Sequence, residues 1–374
     1  MTVSIAILGT RGIPARYGGF ETFAEELGAR LVDAGFEITV YCEGTSSQKE
    51  HRGMKLVHVQ SAEIGPLTTI LFDLLCLWRA RKEFDIVYML GAGASFFCFL
   101  PRLYGADVWI NIDGLEWKRP KWSRVGRAYL KLAARFAMLT ASQIIADAEA
   151  IATVLQEQFG QSSRCTTIAY GADLVATAPP PSVLKRWEID SGEYYLIVCR
   201  LEPENHIREI VAGFLASGSR RILLVIGDHL AKTKYIRDLV QLGNNDRVKF
   251  AGPVYDRLQL NALRCHCFAY FHGHSVGGTN PSLLEAMACG SPVIAHDNRF
   301  NREVASGAAL YFGRAHDIPS LCSRIESDEL LRSSLASTGK ERVLKYYSWD
   351  LIATKYVALI NKFGSGHDTN VSLS

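Results

Sequence analysis

The chain has 374 residues, of which 48% are hydrophobic and 21% are charged, and its formal net charge is +3. This composition supplies enough apolar side chains for buried cores and excludes a disordered chain, while the length favours two domains. The net charge is too small to indicate nucleic-acid binding by itself. The nine cysteines lie mostly in apolar runs, which is typical of small core residues in a reducing compartment.

The apolar runs are too short to cross a membrane, since none approaches the roughly 18 to 20 residues that are needed. Residues 1–4 lead directly into an apolar strand without the basic region or cleavage site of a signal peptide. We therefore expect a cytoplasmic protein. The spacing in Cys265-His266-Cys267 does not match zinc sites and no second pair follows, so we expect no bound metal.

Short β-rich runs alternate with helical stretches in the first half of the chain. The predicted strands are 4–8, 37–42, 86–90, 108–112, 144–146 and 165–168. The predicted helices are 20–34, 66–82, 95–104, 123–141 and about 148–159. Such alternation predicts a parallel sheet covered by helices on both faces.

The proline cluster Pro179-Pro180-Pro181 interrupts this pattern, because proline continues neither a helix nor a central strand. The alternation then resumes with strands at 194–199, 222–226, 248–250, 267–271 and 293–295. Helices are expected at 206–217, 232–242 and 259–264, from Pro281 onward, and over 348–360 with Ser348 as the cap.

The sequence therefore predicts an α/β protein with two Rossmann-like, doubly wound domains that face a central ligand crevice. The predicted domains are residues 1–178 and 188–346, and 179–187 form the linker. Residues 347–363 form a C-terminal helix that packs back on the N-terminal domain. The polar residues 364–374 form a mobile tail.

Residues 271–290 read as a strand, a glycine loop and a helix. Asn280 is predicted to cap the helix, with Pro281 at its first position. Gly277 and Gly278 let an anion approach the helix N-terminus, where unpaired amides and the helix dipole favour phosphate. Glu285, one turn further on, suits the diol of a ribose. An ordinary capped helix of any α/β domain would give the same pattern.

The loop after the first strand is rich in glycine but lacks the dinucleotide fingerprint. Arg11 stands two residues after Gly9, where that fingerprint requires a glycine, and the helix begins about ten residues later. Arg11 and Arg16 either contact phosphate or are solvated. Glu43 at the end of the second strand keeps a nicotinamide dehydrogenase as an alternative.

Arg200 follows a strand of the second domain, at the carboxyl edge where such sheets bind ligands, and it suits a diphosphate. With this residue the chain resembles the retaining GT-B glycosyltransferases of family 4, and more narrowly their rhamnosyltransferase-like branch. The resemblance extends from about residue 4 to 363. It rests on Gly12-Ile13-Pro14, Tyr17-Gly18-Gly19-Phe20-Glu21, Asp113-Gly114-Leu115-Glu116-Trp117-Lys118, Tyr170-Gly171-Ala172-Asp173, Arg200-Leu201-Glu202-Pro203-Glu204-Asn205 and the block from Gly277 to Ala288.

The resemblance implies a site for a nucleotide-sugar donor, with Arg200 on the diphosphate and Glu285 on the ribose. The implied donor-binding residues are Gly18, Gly19, Arg200, Asn205, Gly277, Gly278, Thr279, Asn280 and Glu285. The implied catalytic residues are Asp113, Lys118 and Arg200. Asp113 would steady positive charge on the sugar ring or orient the acceptor, unless it only caps the following turn. The implied transfer retains the anomeric configuration and needs no metal.

Three positions depart from the broader family. Asn205 replaces a lysine, which removes one charge contact to the diphosphate. Gly277 replaces a glutamate that touches the transferred sugar, and Asp113 replaces a histidine near the C6 hydroxyl. The loss of contacts to sugar hydroxyls suits a 6-deoxy donor, which agrees with dTDP-rhamnose.

A run of seven basic residues without an acid follows Trp117. It comprises Lys118, Arg119, Lys121, Arg124, Arg127, Lys131 and Arg135, interleaved with aromatic and aliphatic side chains. Such a basic amphipathic helix suits an anionic membrane surface, and Arg124, Arg127 and Lys131 are its central residues. A solvated helix face is the alternative, and no nucleic-acid motif accompanies the charge.

Together these patterns predict a retaining glycosyltransferase on the inner face of the cell membrane. It would transfer L-rhamnose from dTDP-rhamnose to a lipid-linked or growing surface glycan. No cofactor is expected beyond the donor, which is a substrate. The alternatives are the same fold with a UDP- or GDP-sugar, and a catalytically silent scaffold for glycan assembly.

Overall fold

A computed structural model describes residues 2–15, 18–160, 162–230 and 233–368. The chain divides into two units. The N-terminal unit comprises Met1–Lys118, Trp122–Tyr170 and Trp349–Ser374, and the C-terminal unit comprises Arg119–Lys121 and Gly171–Ser348.

The N-terminal unit contains an eight-stranded sheet. Its strands are β1 (Ser4–Leu8), β2 (Glu37–Glu43), β3 (Glu50–His51), β4 (Met54–Val59), β5 (Ile86–Leu90), β6 (Asp107–Ile112), β7 (Gln143–Ala146) and β8 (Cys165–Thr167). Their order is β3-β4-β2-β1-β5-β6-β7-β8, with β3 antiparallel to β4 and the other pairs parallel. The helices are α1 (Gly19–Asp33), α2 (Thr68–Ala80), α3 (Phe99–Arg102), α4 (Arg124–Thr140) and α5 (Glu149–Phe159).

The C-terminal unit contains a six-stranded parallel sheet. Its strands are β9 (Tyr194–Val198), β10 (Ile222–Ile226), β11 (Val248–Phe250), β12 (Ala269–His272), β13 (Val293–His296) and β14 (Ala309–Phe312), in the order β11-β10-β9-β12-β13-β14. Its helices are α6 (Ile207–Ala216), α7 (Lys234–Leu242), α8 (Arg257–His266), α9 (Pro281–Cys289), α10 (Arg299–Ala305), α11 (Ile318–Ser327) and α12 (Glu329–Arg342).

Successive side chains of β9 enter two different apolar clusters, because neighbouring residues of a strand point to opposite faces of the sheet. Tyr195 and Ile197 belong to one cluster, and Tyr194 and Leu196 belong to the other. The sheet is therefore buried on both faces, as the continuous apolar strands predict. The 3-10 turn Pro181–Trp187, within the segment predicted as a linker, contributes buried side chains to the second cluster.

The last helix, α13 (Trp349–Asp368), belongs to the N-terminal unit. The Tyr356 hydroxyl lies 2.8 Å from that of Tyr88 on β5, and Asp350 lies 3.0 Å from Arg30 of α1. The helix therefore crosses the central part of this unit. It continues into the segment predicted as a tail, and residues 369–374 lie outside the described part of the chain.

Several elements differ from the sequence prediction. The stretch 95–104, predicted as one helix, is a 3-10 turn followed by the short α3, whose first turn accommodates the missing amide of Pro101. The edge strand β3 and its neighbour β4 were not predicted, because charged residues interrupt their apolar pattern. The elements from α10 to α12 also lie in a region where no element was predicted.

Asp73 of α2 is buried, and its Oδ1 atom accepts no hydrogen bond from the described part of the chain. Burial, together with the charge of Glu43, raises the pKa of this carboxyl from 3.8 to about 7. Between these two pH values the folded protein retains a proton that the unfolded chain has released. The free energy of unfolding therefore falls as the pH rises from about 4 to 7, by an amount on the order of 4 kcal/mol.

We expect the Asp73→Asn variant to be more stable than the wild type at pH 8 and equally stable at pH 4 to 5, because its amide does not ionise. Thermal unfolding across this pH range measures the difference. The matched control is Asp238→Asn at an exposed position. A stability difference independent of pH would show that Asp73 is not protonated in the folded state.

Candidate functional site

The strand order of the C-terminal sheet reverses between β9 and β12. Strands β10 and β11 extend to one side of β9, whereas β13 and β14 extend to the other side of β12. The connections that leave the carboxyl ends of β9 and β12 therefore lead to opposite sides of the sheet. Such a switch point is where α/β sheets bind ligands. The sequence-predicted residues Arg200, Asn205 and 277–280 all lie on these two loops.

The two loops are joined by hydrogen bonds. The Asn205 amide donates to the Arg200 carbonyl at 2.7 Å, and its Oδ1 accepts from Nδ1 of His274 at 2.6 Å. The amide and the hydroxyl of Ser275 both donate to the Glu204 carbonyl, at 3.0 and 2.9 Å. Asn205 is 5% exposed, so it acts as a clamp between the loops that holds the backbone of Arg200.

Gly273 lies where the two loops are closest. A Cβ atom at this position would lie 1.9 Å from the carbonyl oxygen of Asn205. Glycine is therefore required by the close approach of the two backbones. The Gly273 carbonyl lies 2.9 Å from Nδ1 of His206, which adds a further link between the loops.

The N-terminus of α9 is capped as the sequence predicts. The Asn280 side chain accepts from the amide of Ser282 at 3.0 Å, and Pro281 occupies the first helical turn. Gly290 ends the helix in the left-handed region with φ 77°. Both the cap and the stop are confirmed.

The amides of Gly277 and Gly278 precede this cap and donate no hydrogen bond to the described part of the protein. Gly277 has φ 145°, a value that favours glycine. Thr279 beside them is 3% exposed. The loop thus presents unpaired amides at a helix N-terminus, an arrangement suited to an anion.

The start of α9 is fixed against the end of β9. The Ser282 hydroxyl donates to the Val198 carbonyl at 2.9 Å and lies 2.5 Å from the hydroxyl of Tyr270. Tyr270 on β12 also donates to the Val198 carbonyl, at 3.1 Å. These contacts hold the helix N-terminus at the switch point.

Glu285 projects from α9 and is 35% exposed, and its Oε2 lies 2.5 Å from Nη2 of Arg264 on α8. Arg264 is only 3% exposed. Burial alone would lower the pKa of Arg264, but the negative charge of Glu285 raises it. The ion pair therefore fixes one carboxylate oxygen of Glu285 and orients the group. Arg264 was not predicted as a site residue. The feature that could have indicated it is the position of this arginine in the apolar run 262–271.

Four histidines lie at the same edge of the sheet. The rings of His206 and His296 stack with their centroids 3.9 Å apart. Burial lowers the pKa of His272 to about 3 and that of His296 to about 4, each with help from a neighbouring histidine. Burial also holds the pKa of His274 well below its usual value. These three imidazoles are neutral at physiological pH, so they bring no positive charge to an anion at this edge, whereas Arg200 does.

Arg119 lies apart from the basic surface with which the sequence groups it. It is 5% exposed, and its Nη1 lies 3.7 Å from Oε1 of Glu204, whose side chain is 2% exposed. The seven-residue basic run is therefore not one continuous surface. Sequence reasoning could not identify this ion pair, because 85 positions separate the two residues along the chain (204 − 119).

His266, in the sequence rejected as a zinc motif, has protein partners. Its Nε2 lies 2.7 Å from the Pro179 carbonyl and its Nδ1 lies 3.2 Å from the Ser191 hydroxyl. Among the described residues, no group of three or more His, Cys, Asp and Glu side chains could hold a metal ion.

The N-terminal unit has its own switch point between β1 and β5. The loop after β1 is held by Glu21 of α1, which accepts from the Arg11 amide at 2.9 Å and from the Thr10 hydroxyl at 3.3 Å. The Arg11 side chain is 70% exposed and lies 3.9 Å from Glu43. Gly18, with φ 95°, precedes α1 at its N-terminus, and Gly19 is the first helical residue. The predicted phosphate contact Arg16 and the motif residue Tyr17 lie outside the described residues.

Asp113 and Lys118 lie after β6 in the same unit. Asp113 is partly buried, and its charge adds to burial in raising the pKa of Tyr170. Lys118 is exposed at the end of the 3-10 turn Glu116–Lys118.

Two doubly wound parallel α/β units in one chain constitute a GT-B fold, as the sequence predicts. Residues 184–342 match the family described as glycosyl transferases group 1, which supports the predicted glycosyltransferase class for this part of the chain. Residues 2–173 match a family described as a domain of unknown function (DUF1972).

Solved structures support the fold over nearly the whole chain. Sucrose-phosphate synthase from Thermosynechococcus elongatus has a TM-score of 0.83 and 18% identity, covering 97% of this chain and 100% of that one. HepE from Anabaena, in complex with UDP and glucose, has a TM-score of 0.80 and 17% identity, covering 96% and 100%. At these identities the likeness concerns the fold alone.

A sequence relative is phosphatidyl-myo-inositol mannosyltransferase of Mycobacterium leprae, 29% identical over 117 residues. The match covers 29% of this chain and 30% of that protein, so the chain spans less than a third of this curated relative. The matches thus support a glycosyltransferase of group 1 type, and the rhamnosyltransferase-like branch stays a prediction.

Proposed function

We propose that the protein is a retaining glycosyltransferase that takes its donor at the switch point of the C-terminal sheet. The observation that carries this proposal is the convergence at one sheet edge of unpaired glycine amides, Arg200 and an oriented Glu285. Such groups match the parts of a nucleoside diphosphate: amides and guanidinium for the diphosphate, and carboxylate for the ribose. The mannosyltransferase relative and the group 1 family support the same class of reaction.

The reaction breaks the bond between the sugar and its diphosphate, so negative charge grows on the leaving group. The amides of Gly277 and Gly278 are held in the loop before the reaction, and together with the guanidinium of Arg200 they would stabilise that charge as it develops. Asp113 and Lys118 of the N-terminal unit are the further catalytic residues that we propose, on the strength of the family resemblance. The donor needs no metal in this scheme, because the positive charge comes from protein groups.

For the donor we propose dTDP-rhamnose, whose 2′-deoxyribose offers Glu285 one hydroxyl, at the 3′ position, where the ribose of UDP offers two. Gly277 presents no carboxylate to the transferred sugar, and Asn205 is fully engaged between the loops. A donor with fewer hydroxyls, such as a 6-deoxy sugar, requires fewer such contacts. The second candidate is a UDP-sugar, which is favoured by HepE because that protein was crystallised with UDP-glucose. The proposed acceptor is a lipid-linked or growing cell-surface glycan.

A panel of donors tests the proposal. The purified protein is incubated with dTDP-rhamnose, UDP-glucose, UDP-N-acetylglucosamine and GDP-mannose, and the release of nucleoside diphosphate is measured with and without EDTA. We expect the highest turnover with dTDP-rhamnose, unchanged by EDTA. Faster turnover with UDP-glucose would show that the donor is a UDP-sugar rather than dTDP-rhamnose. Absence of both turnover and nucleotide binding would favour the catalytically silent scaffold.

We also propose that the N-terminal unit binds the cytoplasmic surface of an anionic membrane. Helix α4 exposes Val125, Leu132 and Leu139 at heptad spacing, with exposed fractions of 79%, 56% and 61%. Arg124 and Lys131 each precede one of these residues and are exposed, while Arg127 is partly buried. An apolar stripe bordered by basic side chains suits the boundary between headgroups and acyl chains.

The short helix α3 extends this surface. Arg102 donates to the carbonyl of Thr140 at the end of α4, and Phe99 on α3 and Leu103 directly after it are 43% and 71% exposed. Within the described ranges, no helix is long and apolar enough to cross a membrane. Attachment to the surface, rather than insertion, is therefore the form of membrane binding that we propose.

We expect that changing Arg124, Arg127 and Lys131 to glutamate abolishes binding to anionic vesicles. Each basic residue near such a surface contributes about 1 kcal/mol, so the loss should reach roughly a hundredfold. Flotation with anionic and neutral vesicles at low and high salt measures it. Reversal of the exposed Arg220, Lys234 and Arg299 in the C-terminal unit is the matched control. Equal flotation of the α4 variant and the wild type would show that α4 is a solvated helix and not a membrane-binding surface.

A further inference from the structure

Arg119 lies between Lys118 and Trp122, which belong to the N-terminal unit, yet the segment Arg119–Lys121 belongs to the C-terminal unit. Its side chain is almost completely buried, unlike that of Lys118. A guanidinium is rarely buried without a negative partner. A negative partner is therefore expected for Arg119.

The acidic partner is Glu204, and its surroundings are unusual. The carboxylate is 2% exposed, and neither of its oxygens accepts a hydrogen bond from the residues that the structure describes. Compensation for its charge comes from Arg119 at 3.7 Å. A carboxylate in such a buried position depends on a nearby cation, because removing one partner of a buried pair leaves an uncompensated charge.

Glu204 lies within the candidate donor site. It belongs to the loop that carries Arg200 and Asn205, and its carbonyl is the acceptor that joins this loop to Ser275. His274 lies on the second loop, and burial and the neighbouring His272 lower its pKa. The charges of Arg119 and Arg200 lower it further. The two arginines therefore act on the same small region.

We propose that Arg119 is a positioning residue that sets the charge of the donor site, because it neutralises Glu204 and leaves Arg200 available to a diphosphate. This inference rests on the proposed function. An ionised Glu204 without Arg119 would lie four residues from Arg200 and would offset its charge. The chain has asparagine rather than lysine at 205, so the loop has no second cation with which to absorb that loss.

Calorimetric titration with UDP, dTDP and GDP tests the inference in a set of variants. We expect Arg119→Met to weaken binding of the best of these diphosphates at least about tenfold, and Arg119→Lys to restore most of it. The double variant Arg119→Met/Glu204→Gln should bind within about threefold of the wild type, because the uncompensated acid is gone. Arg220→Met, at an exposed position of the same unit, is the matched control.

The rescue separates charge compensation from direct contact with the ligand. If the double variant binds as weakly as Arg119→Met, or if Arg119→Met binds as well as the wild type, the inference is wrong. If Arg119→Met does not fold, the single variant Glu204→Gln provides the test. Unchanged or tighter diphosphate binding by this variant supports the inference, and weaker binding overturns it. A wild type that binds none of the three diphosphates would instead overturn the proposed function.

Discussion

Replacement of Arg200 by alanine should lower kcat/KM by about 10² to 10³-fold, mainly through kcat. The guanidinium meets a leaving group whose charge grows in the transition state, so its interaction is stronger there than in the ground state. Arg200 is exposed at the switch point, and its backbone carbonyl is held by Asn205. Removal of the side chain should therefore leave the loop in place.

Steady-state kinetics with the donor identified by the panel measure this effect. Arg208→Ala, at an exposed position on α6, is the matched control and should change neither constant. Arg200→Lys should recover only part of the loss, because an ammonium cannot form the bidentate contact of a guanidinium. A rise in KM with kcat unchanged would mean that Arg200 contributes only to ground-state binding.

The second large effect concerns Glu285. We expect Glu285→Gln to weaken UDP binding by about 10 to 100-fold, because a charged acceptor of two ribose hydroxyls is replaced by a neutral amide. Arg264→Met should weaken UDP binding as well, since it removes the group that orients the carboxylate. Glutamine is preferred to alanine at 285 because its side-chain oxygen can still face the buried Arg264.

The ligand itself provides the control for this prediction. If Glu285 contacts the ribose diol, the 2′,3′-dideoxy analogue of UDP should bind the wild type more weakly than UDP does. The Glu285→Gln variant should then bind the two ligands with nearly equal affinity. If the loss of affinity from UDP to the analogue is the same in both proteins, the ribose is contacted by a residue other than Glu285. Thermal unfolding of each variant shows whether the fold is retained.

The features that the sequence predicts well are local ones. The strands 86–90 and 222–226 have the predicted bounds, because continuous β-rich apolar runs between turns have few other structures available. The cap at Asn280 and the stop at Gly290 depend on neighbouring residues alone, so their residue types suffice. The position of Arg200 at a carboxyl strand end follows from the same alternation.

The ion pairs around the candidate site could not be predicted. Arg264 reaches Glu285 only because α8 lies beside α9, and Arg119 reaches Glu204 across 85 positions (204 − 119) of chain. Sequence patterns give the periodicity of each element but not which elements become neighbours. The buried state of Arg119 was missed for the same reason, since its sequence neighbours are basic and exposed.

The fit of Gly273 against Asn205 has a consequence for engineering. Because the two backbones leave no room for a Cβ atom, the loops after β9 and β12 behave as a single interlocked part. A loop transplanted alone from a relative would meet a partner shaped for a different backbone path. Exchange of donor preference by grafting would therefore require both loops to be moved together, with Gly273, Asn205 and His274 treated as one module.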